Sequence, residues 1–419
     1  MKTKYMKTVF FTFSFVLLSI TVLIGCGRSE KQDFVVEGIH YLDSSLVRIG
    51  IEGGKIANVK KLKRLSEGGR ALIIAPGLID NQVNGYKGFS FVDVGQELTE
   101  EGIKTITSGL WEAGVTTYMP TITSGEYAVF LKNLRLLLRV KNDPDTRGSI
   151  GGFHFEGPYI SPVNGFRGAH PLIYVRNPDW NEFMEFYNAS QKNILQVSLA
   201  PETEGAMDFI SKCNELGVKV GLAHHNSSSE QVKEAVNRGA VIAVHLGNGL
   251  PNEINRWNNP LWSQLSDDSL TISIICDGYH LTPDQVKTFY KAKGVGKTII
   301  TSDMSPLGGL PPGFYLNAIG DTLELKSEGV VMYPSIKALS GSASTLSRMV
   351  GNVMKFAGCD LASAVKMSST NVAHLYGLND RGEIKPGLRA DLILFTLDDF
   401  KIDIKKTIVE GAVVYESPN

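Results

Sequence analysis

The stretch Val218-Lys219-Val220-Gly221-Leu222-Ala223-His224 is followed, after a helix-like segment, by Val241-Ile242-Ala243-Val244-His245. Two short, largely apolar runs, each ending in a histidine, thus flank one helical connection. Near-continuous apolar strands alternating with helices indicate a parallel sheet buried on both faces. The same rhythm extends outward from about Ala75 to about Gly377. Its other runs are Leu72 to Gln82, Thr116 to Thr121, Ile150 to Glu156, Leu195 to Pro201, Leu270 to Asp277 and Thr298 to Asp303, making eight in all. Eight such units in about 300 residues fit a closed, TIM-like (β/α)8 barrel, an α/β fold. A doubly wound open sheet is the alternative.

The flanks read differently. Val47 to Ile51 and Lys55 to Val59 alternate around a Gly53-Gly54 turn, and Leu392 to Phe395 and Thr407 to Tyr415 do so near the other end. Both termini therefore propose strands of one small β-sandwich domain. The expected division is a leader over 1–26, the β domain over 27–75 and 378–419, and the barrel over 76–377.

The leader has Lys2, Lys4 and Lys7 before an apolar run from Val9 to Ile24. That pattern is a signal peptide, and 16 residues are short for a membrane anchor. The run ends in Leu23-Ile24-Gly25-Cys26, which resembles the bacterial lipobox, whose cysteine carries a lipid. The body is thus expected outside the cytoplasm, tethered to the membrane of the periplasm or cell surface. Cys213, Cys276 and Cys359 are scattered without CxxC spacing, and so read as buried thiols rather than a disulfide framework.

The chain has 419 residues and is 43% apolar, enough for a large core beside a small domain. Its 42 basic and 43 acidic residues leave no electrostatic footprint for nucleic acid. Any anion it handles must be met locally.

In a barrel of this kind the reacting groups sit at the C-terminal ends of the strands. Those ends carry Gln82 and Asn84, Glu156, His224 and His225, His245 and Asn248, Asp277 and His280, and Asp303. Five of the eight histidines, counting His170, fall at such ends or in the loop after one. Glu156, His224 and His245 offer a carboxylate and two imidazoles, a set suited to a catalytic Zn2+ with one open position. His224 is preferred to His225 because strand neighbours point to opposite faces. Any one of these histidines alone reads equally well as a hydrogen-bonded core residue. Asp303 ends an apolar strand, where it can take a proton from water activated by the ion and later give it to a leaving amine. A helix N-cap is the competing reading of that aspartate.

The strings Pro76-Gly77-Leu78-Ile79-Asp80-Asn81-Gln82-Val83-Asn84-Gly85, His154-Phe155-Glu156-Gly157-Pro158, Leu199-Ala200-Pro201-Glu202, Ala223-His224-His225-Asn226, His245-Leu246-Gly247-Asn248, Asp277-Gly278-Tyr279-His280 and Thr301-Ser302-Asp303 occur in this order. In that order they resemble the N-acetylglucosamine-6-phosphate deacetylases of the amidohydrolase superfamily, over nearly all of the mature chain. The resemblance implies removal of an acetyl group from an amino sugar, with Glu156, His224 and His245 holding the ion and Asp303 acting as base. It implies that His170 and His280 line the sugar and carbonyl site, and that Asn248 and Gly249 grip sugar substituents. His225, beside the ligand, is carried as a further substrate contact. Arg256 matches the arginine that holds a 6-phosphate across a homodimer interface, and its other reading is a solvated surface charge.

Two features depart from the wider superfamily. Gln82 and Asn84 stand where many members have a histidine pair for a second ion, and neutral amides are poor ligands beside imidazole. One divalent ion is therefore expected, zinc or a relative such as Fe2+. The loop Asn252 to Asn259 is richer in amides and aromatics than a phosphate loop needs, and sugar phosphates are cytoplasmic. Another N-acyl substrate remains open: an unphosphorylated amino sugar, a peptidoglycan fragment or an N-acyl amino acid. So does a sugar-binding lipoprotein without catalysis.

Overall fold

The computed structural model describes residues 33–66, 71–92, 97–317 and 320–418. The expected signal peptide and Cys26 lie outside the described residues. Among those residues no helix is long and apolar enough to cross a membrane.

Eight parallel strands make the barrel: Leu78–Val83, Val115–Thr123, Phe153–Glu156, Ile194–Leu199, Lys219–Leu222, Ala240–Ala243, Thr271–Ile274 and Thr298–Ile300. They pair in chain order from first to eighth. The first seven are each followed by an α-helix before the next barrel strand, among them Glu100–Glu112, reached through the short hairpin Gly85–Tyr86 and Phe89–Ser90, Trp180–Ala189 and Pro283–Lys293. Thr99, Asp179, Ser228 and Thr282 each accept a backbone N–H at the first turn of the helix they precede. Such caps satisfy amide donors that the helix itself leaves free.

The seam between the eighth and first strands is different. Among the described residues it carries no extended ladder, only the parallel bridge between Val83 and Met304. The Asn84 N–H donates to the Met304 carbonyl at 2.9 Å, with Lys87 N–H to Gly308 and Gly88 N–H to Pro306 beyond it, and side chains such as Asp80 span the seam deeper in the barrel.

Both termini meet in one sheet of seven strands. Ile73–Pro76 pairs parallel to Phe34–His40 on one side and antiparallel to Leu392–Asp398 on the other. The expected small β domain is thus built from both terminal segments, its strands joined in a continuous sheet around a core of Val47, Ile49, Ile51, Ile74, Leu392 and Ile408.

Sequence reading did not anticipate a third sheet. After the eighth strand no helix follows; instead Gly313–Leu316, Thr322–Leu325, Val330–Tyr333 and Ala338–Ser342 form an antiparallel meander. Its last strand returns to the barrel, where Ser342 N–H donates to the Asp303 carbonyl at 2.8 Å and Ser305 N–H to the Ser342 carbonyl at 2.7 Å. The next helix, Leu346–Ala357, is capped by Thr345, so Asp303 is not a helix cap. Cys213 and Cys276 are buried free thiols, and Cys359 is a half-buried one.

Candidate metal centre

Glu156 is the last residue of the third strand, and its side chain turns into the barrel mouth. The fifth and sixth strands stop at Leu222 and Ala243, so His224 and His245 lie two residues beyond regular pairing. Both have left-handed backbone, at φ 49° and 33°, and Asp303 shares it at φ 48°. Non-glycine residues rarely adopt this conformation, and its concentration at one place marks a functional site. It swings three side chains from the strand ends toward one another.

The ligand atoms of Glu156, His224 and His245 all lie within 4.8 Å of one another, and all three residues are buried. Glu156 Oε1 stands 2.5 Å from His245 Nε2 and 3.5 Å from His224 Nε2. His224 Nδ1 donates to the Phe166 carbonyl at 3.1 Å, which leaves Nε2 as a lone pair aimed at the carboxylate. Burial alone would raise the Glu156 carboxyl, yet the two histidines hold it well below the usual range. Burial alone would likewise lower His245, but Glu156 turns the balance and raises it. One anion with two imidazoles in a dry site is a donor set a divalent cation completes, and the residues fit one.

A cavity of about 360 Å3 opens above this cluster. Glu156, His224, Asn248, His170 and Asp303 line one side; Val129, Leu307, Leu323, Tyr333 and Leu339 line the other, partly from the meander. Asp303 Oδ1 accepts from Asn84 Nδ2 at 2.7 Å and Gln82 Nε2 at 3.0 Å. The two amides therefore hold this aspartate. Burial, and then the charge of Glu156, raise its carboxyl above the ordinary range.

His170 packs edge-on against His224, with ring centroids 4.6 Å apart, and shares a 2.9 Å hydrogen bond between Nδ1 and Ser124 Oγ. Burial brings it down to about 3, so it is neutral. His280 Nδ1 meets Asp277 Oδ2 at 2.7 Å, while its buried Nε2 has no protein partner. Asn248 lines the cavity, and Gly249 backs His224.

Four expected contacts do not line the cavity: His225, Gly249, Arg256 and His280. His225 shares a hydrogen bond with Ser227 at 3.1 Å and lines a separate crevice beside Gln264. The Arg256 guanidinium is exposed, 4.7 Å over the Trp257 ring. Sequence reasoning missed Ser124, Asp80, Gly168 and the meander wall. Of these only Asp80 left a signal, as a charge inside an otherwise apolar run.

Residues 73–259 and 272–414 match the amidohydrolase family. The N-acetylglucosamine-6-phosphate deacetylase of Vibrio furnissii is 30% identical over 345 residues, covering 82% of this chain and 83% of that protein. The enzyme of the same name from Homo sapiens is 28% identical, with 93% of each chain covered. The N-acetylglucosamine-6-phosphate deacetylase structure from Thermotoga maritima superposes with a TM-score of 0.79 at 28% identity, over 92% of this chain and all 100% of that one.

Proposed function

The chain belongs to the amidohydrolase family, and on that premise we propose that it hydrolyses the acetamide of an N-acetylated amino sugar, releasing acetate and the free amine. The observation that carries this reading is the convergence of Glu156, His224 and His245 within 4.8 Å, on the cavity that Asp303 also lines. A bound divalent ion, for which zinc suits the carboxylate and two imidazoles, supplies a Lewis acid that polarises the carbonyl and activates water.

The protein's own groups do the rest. Asp303 takes a proton from the attacking water and returns it to the departing nitrogen, so that the C–N bond breaks with a neutral amine leaving. Its raised carboxyl suits both halves of that exchange. His280, which gives its Nδ1–H to Asp277, can stabilise negative charge on the carbonyl oxygen through Nε2 only as the imidazolium, which carries an N–H there as well. His170 and Asn248 orient the sugar.

Relatives that carry a 6-phosphate in their names support a phosphorylated amino sugar as the substrate. Arg256 lies outside its own chain's cavity, so a phosphate contact through it calls for a second copy; the family resemblance supports such a homodimer. The basic start and the apolar run ending at Cys26 support export with a lipid on that cysteine.

Asp303→Asn should abolish turnover while one ion per chain stays bound, checked by acetate release and metal analysis. Substantial residual activity would remove the base assignment. Acetate release from N-acetylglucosamine compared with its 6-phosphate decides whether phosphate is required.

A further inference from the structure

Three alternate residues of the first barrel strand and its extension reach across the seam to the eighth. Gln82 and Asn84 hold the Asp303 carboxylate itself. One step deeper, Asp80 Oδ1 accepts from Ser302 N–H at 3.2 Å, from the Thr301 hydroxyl at 3.3 Å and from Gln82 N–H at 3.3 Å. Its other oxygen, Oδ2, is buried without a partner, and the residue is 1% exposed.

A half-satisfied carboxylate in this position is a poor structural filler. Burial pushes it up to about 6, which shows how little its charged form is favoured there. What it does hold is the two residues just before Asp303, whose left-handed backbone needs support from outside. Ser342 N–H grips the Asp303 carbonyl from the meander side; Asp80 grips Ser302 N–H from the first strand.

We infer that Asp80 is a positioning residue for the reaction: it ties Thr301 and Ser302 across the open barrel seam and so fixes the backbone from which Asp303 presents its carboxylate. The inference rests on Asp303 being the base. Asp80's partners lie on the first and eighth strands and their extensions, apart from the three metal ligands.

The test uses the zinc-loaded mature chain. Asp80→Asn should lower kcat on the order of tenfold to a hundredfold, because displacing a reacting group by about 1 Å is worth up to about that much. KM should stay within about twofold and one ion per chain should remain, since neither substrate contacts nor ligands are touched. Thr301→Val removes one donor to Asp80 with the shape kept, and should lower kcat in the same direction but less. An Asp80→Asn enzyme with wild-type kcat per bound ion would overturn the inference, as would a deficit that lies wholly in KM or in lost metal. If Asp80→Asn does not fold, an unchanged kcat in Thr301→Val overturns it instead. Asp303→Asn keeps the two failures apart: activity retained there removes the base reading, whereas activity lost there beside a normal Asp80→Asn removes only the role of Asp80.

Discussion

His224 can turn its Nε2 edge toward Glu156 only because two glycines stand back from it. A Cβ on Gly249 would lie 2.6 Å from His224 Nδ1, and one on Gly168 would lie 2.7 Å from Cε1. Both glycines are left-handed, at φ +62° and +63°, so a side chain there is strained as well as crowded. The crowded edge is the one whose Nδ1 donates to the Phe166 carbonyl, the contact that leaves Nε2 free for a cation. Gly249→Ala should therefore weaken metal binding on the order of tenfold to a hundredfold, the usual effect of disturbing a group behind a ligand. Competition with a chelating indicator measures this. An unchanged affinity would mean that the ring orientation is set elsewhere. At this scale the sequence was informative in part: histidines and carboxylates at strand ends announced a cluster. Alternation along a strand favoured His224 over His225, yet the fifth strand ends at Leu222 and the actual cause is a left-handed turn, which residue types do not reveal.

Among the elements, the meander after the eighth strand does two things for the site. It walls the cavity with Leu323, Tyr333 and Leu339, and it hydrogen-bonds the backbone of Asp303 through Ser342. Ser342→Pro removes that N–H at a residue whose own side chain does not line the cavity. The barrel should still form and bind its ion, while kcat falls by roughly an order of magnitude or more as Asp303 loses one of its two backbone supports. Circular dichroism with metal analysis checks the first part, and steady-state kinetics the second. Wild-type kcat would show that Asp303 needs no help from this sheet. The barrel strands were legible because buried parallel strands are continuous apolar runs closed by polar residues. The meander was not, since its strands have four or five residues each with mixed exposure, as in Gly313–Leu316, where Phe314 and Leu316 face solvent. Such strands lack the long apolar signature, and the (β/α)8 rhythm assigned their place to a loop and helix.

The whole molecule is arranged around a buried group of like-natured acceptors that only a cation reconciles. The barrel brings a carboxylate and two imidazole edges within 4.8 Å, all three residues buried at the foot of the cavity. Without an ion, a proton on His245 serves in its place: Glu156 favours the charged imidazole, which raises it although burial opposes that. Proton and metal thus compete for one site, because ligands bind in their deprotonated form. An ion present at about a thousand times its dissociation constant adds about 4 kcal/mol to the folded state. At the sensitivity of large domains, roughly 2–4 °C per kcal/mol, removing it should lower the melting temperature by about ten degrees. The direction with pH follows from the raised imidazole. As pH falls through the His245 value, which Glu156 raises, protons displace the ion and the advantage of the loaded protein shrinks. Melting curves of zinc-loaded and chelator-treated protein should accordingly lie well apart at pH 8 and draw together toward pH 6. Coincident curves at pH 8 would mean that the fold tolerates its three facing acceptors without a cation, and that the ion is not part of what holds the strand ends in their strained conformations.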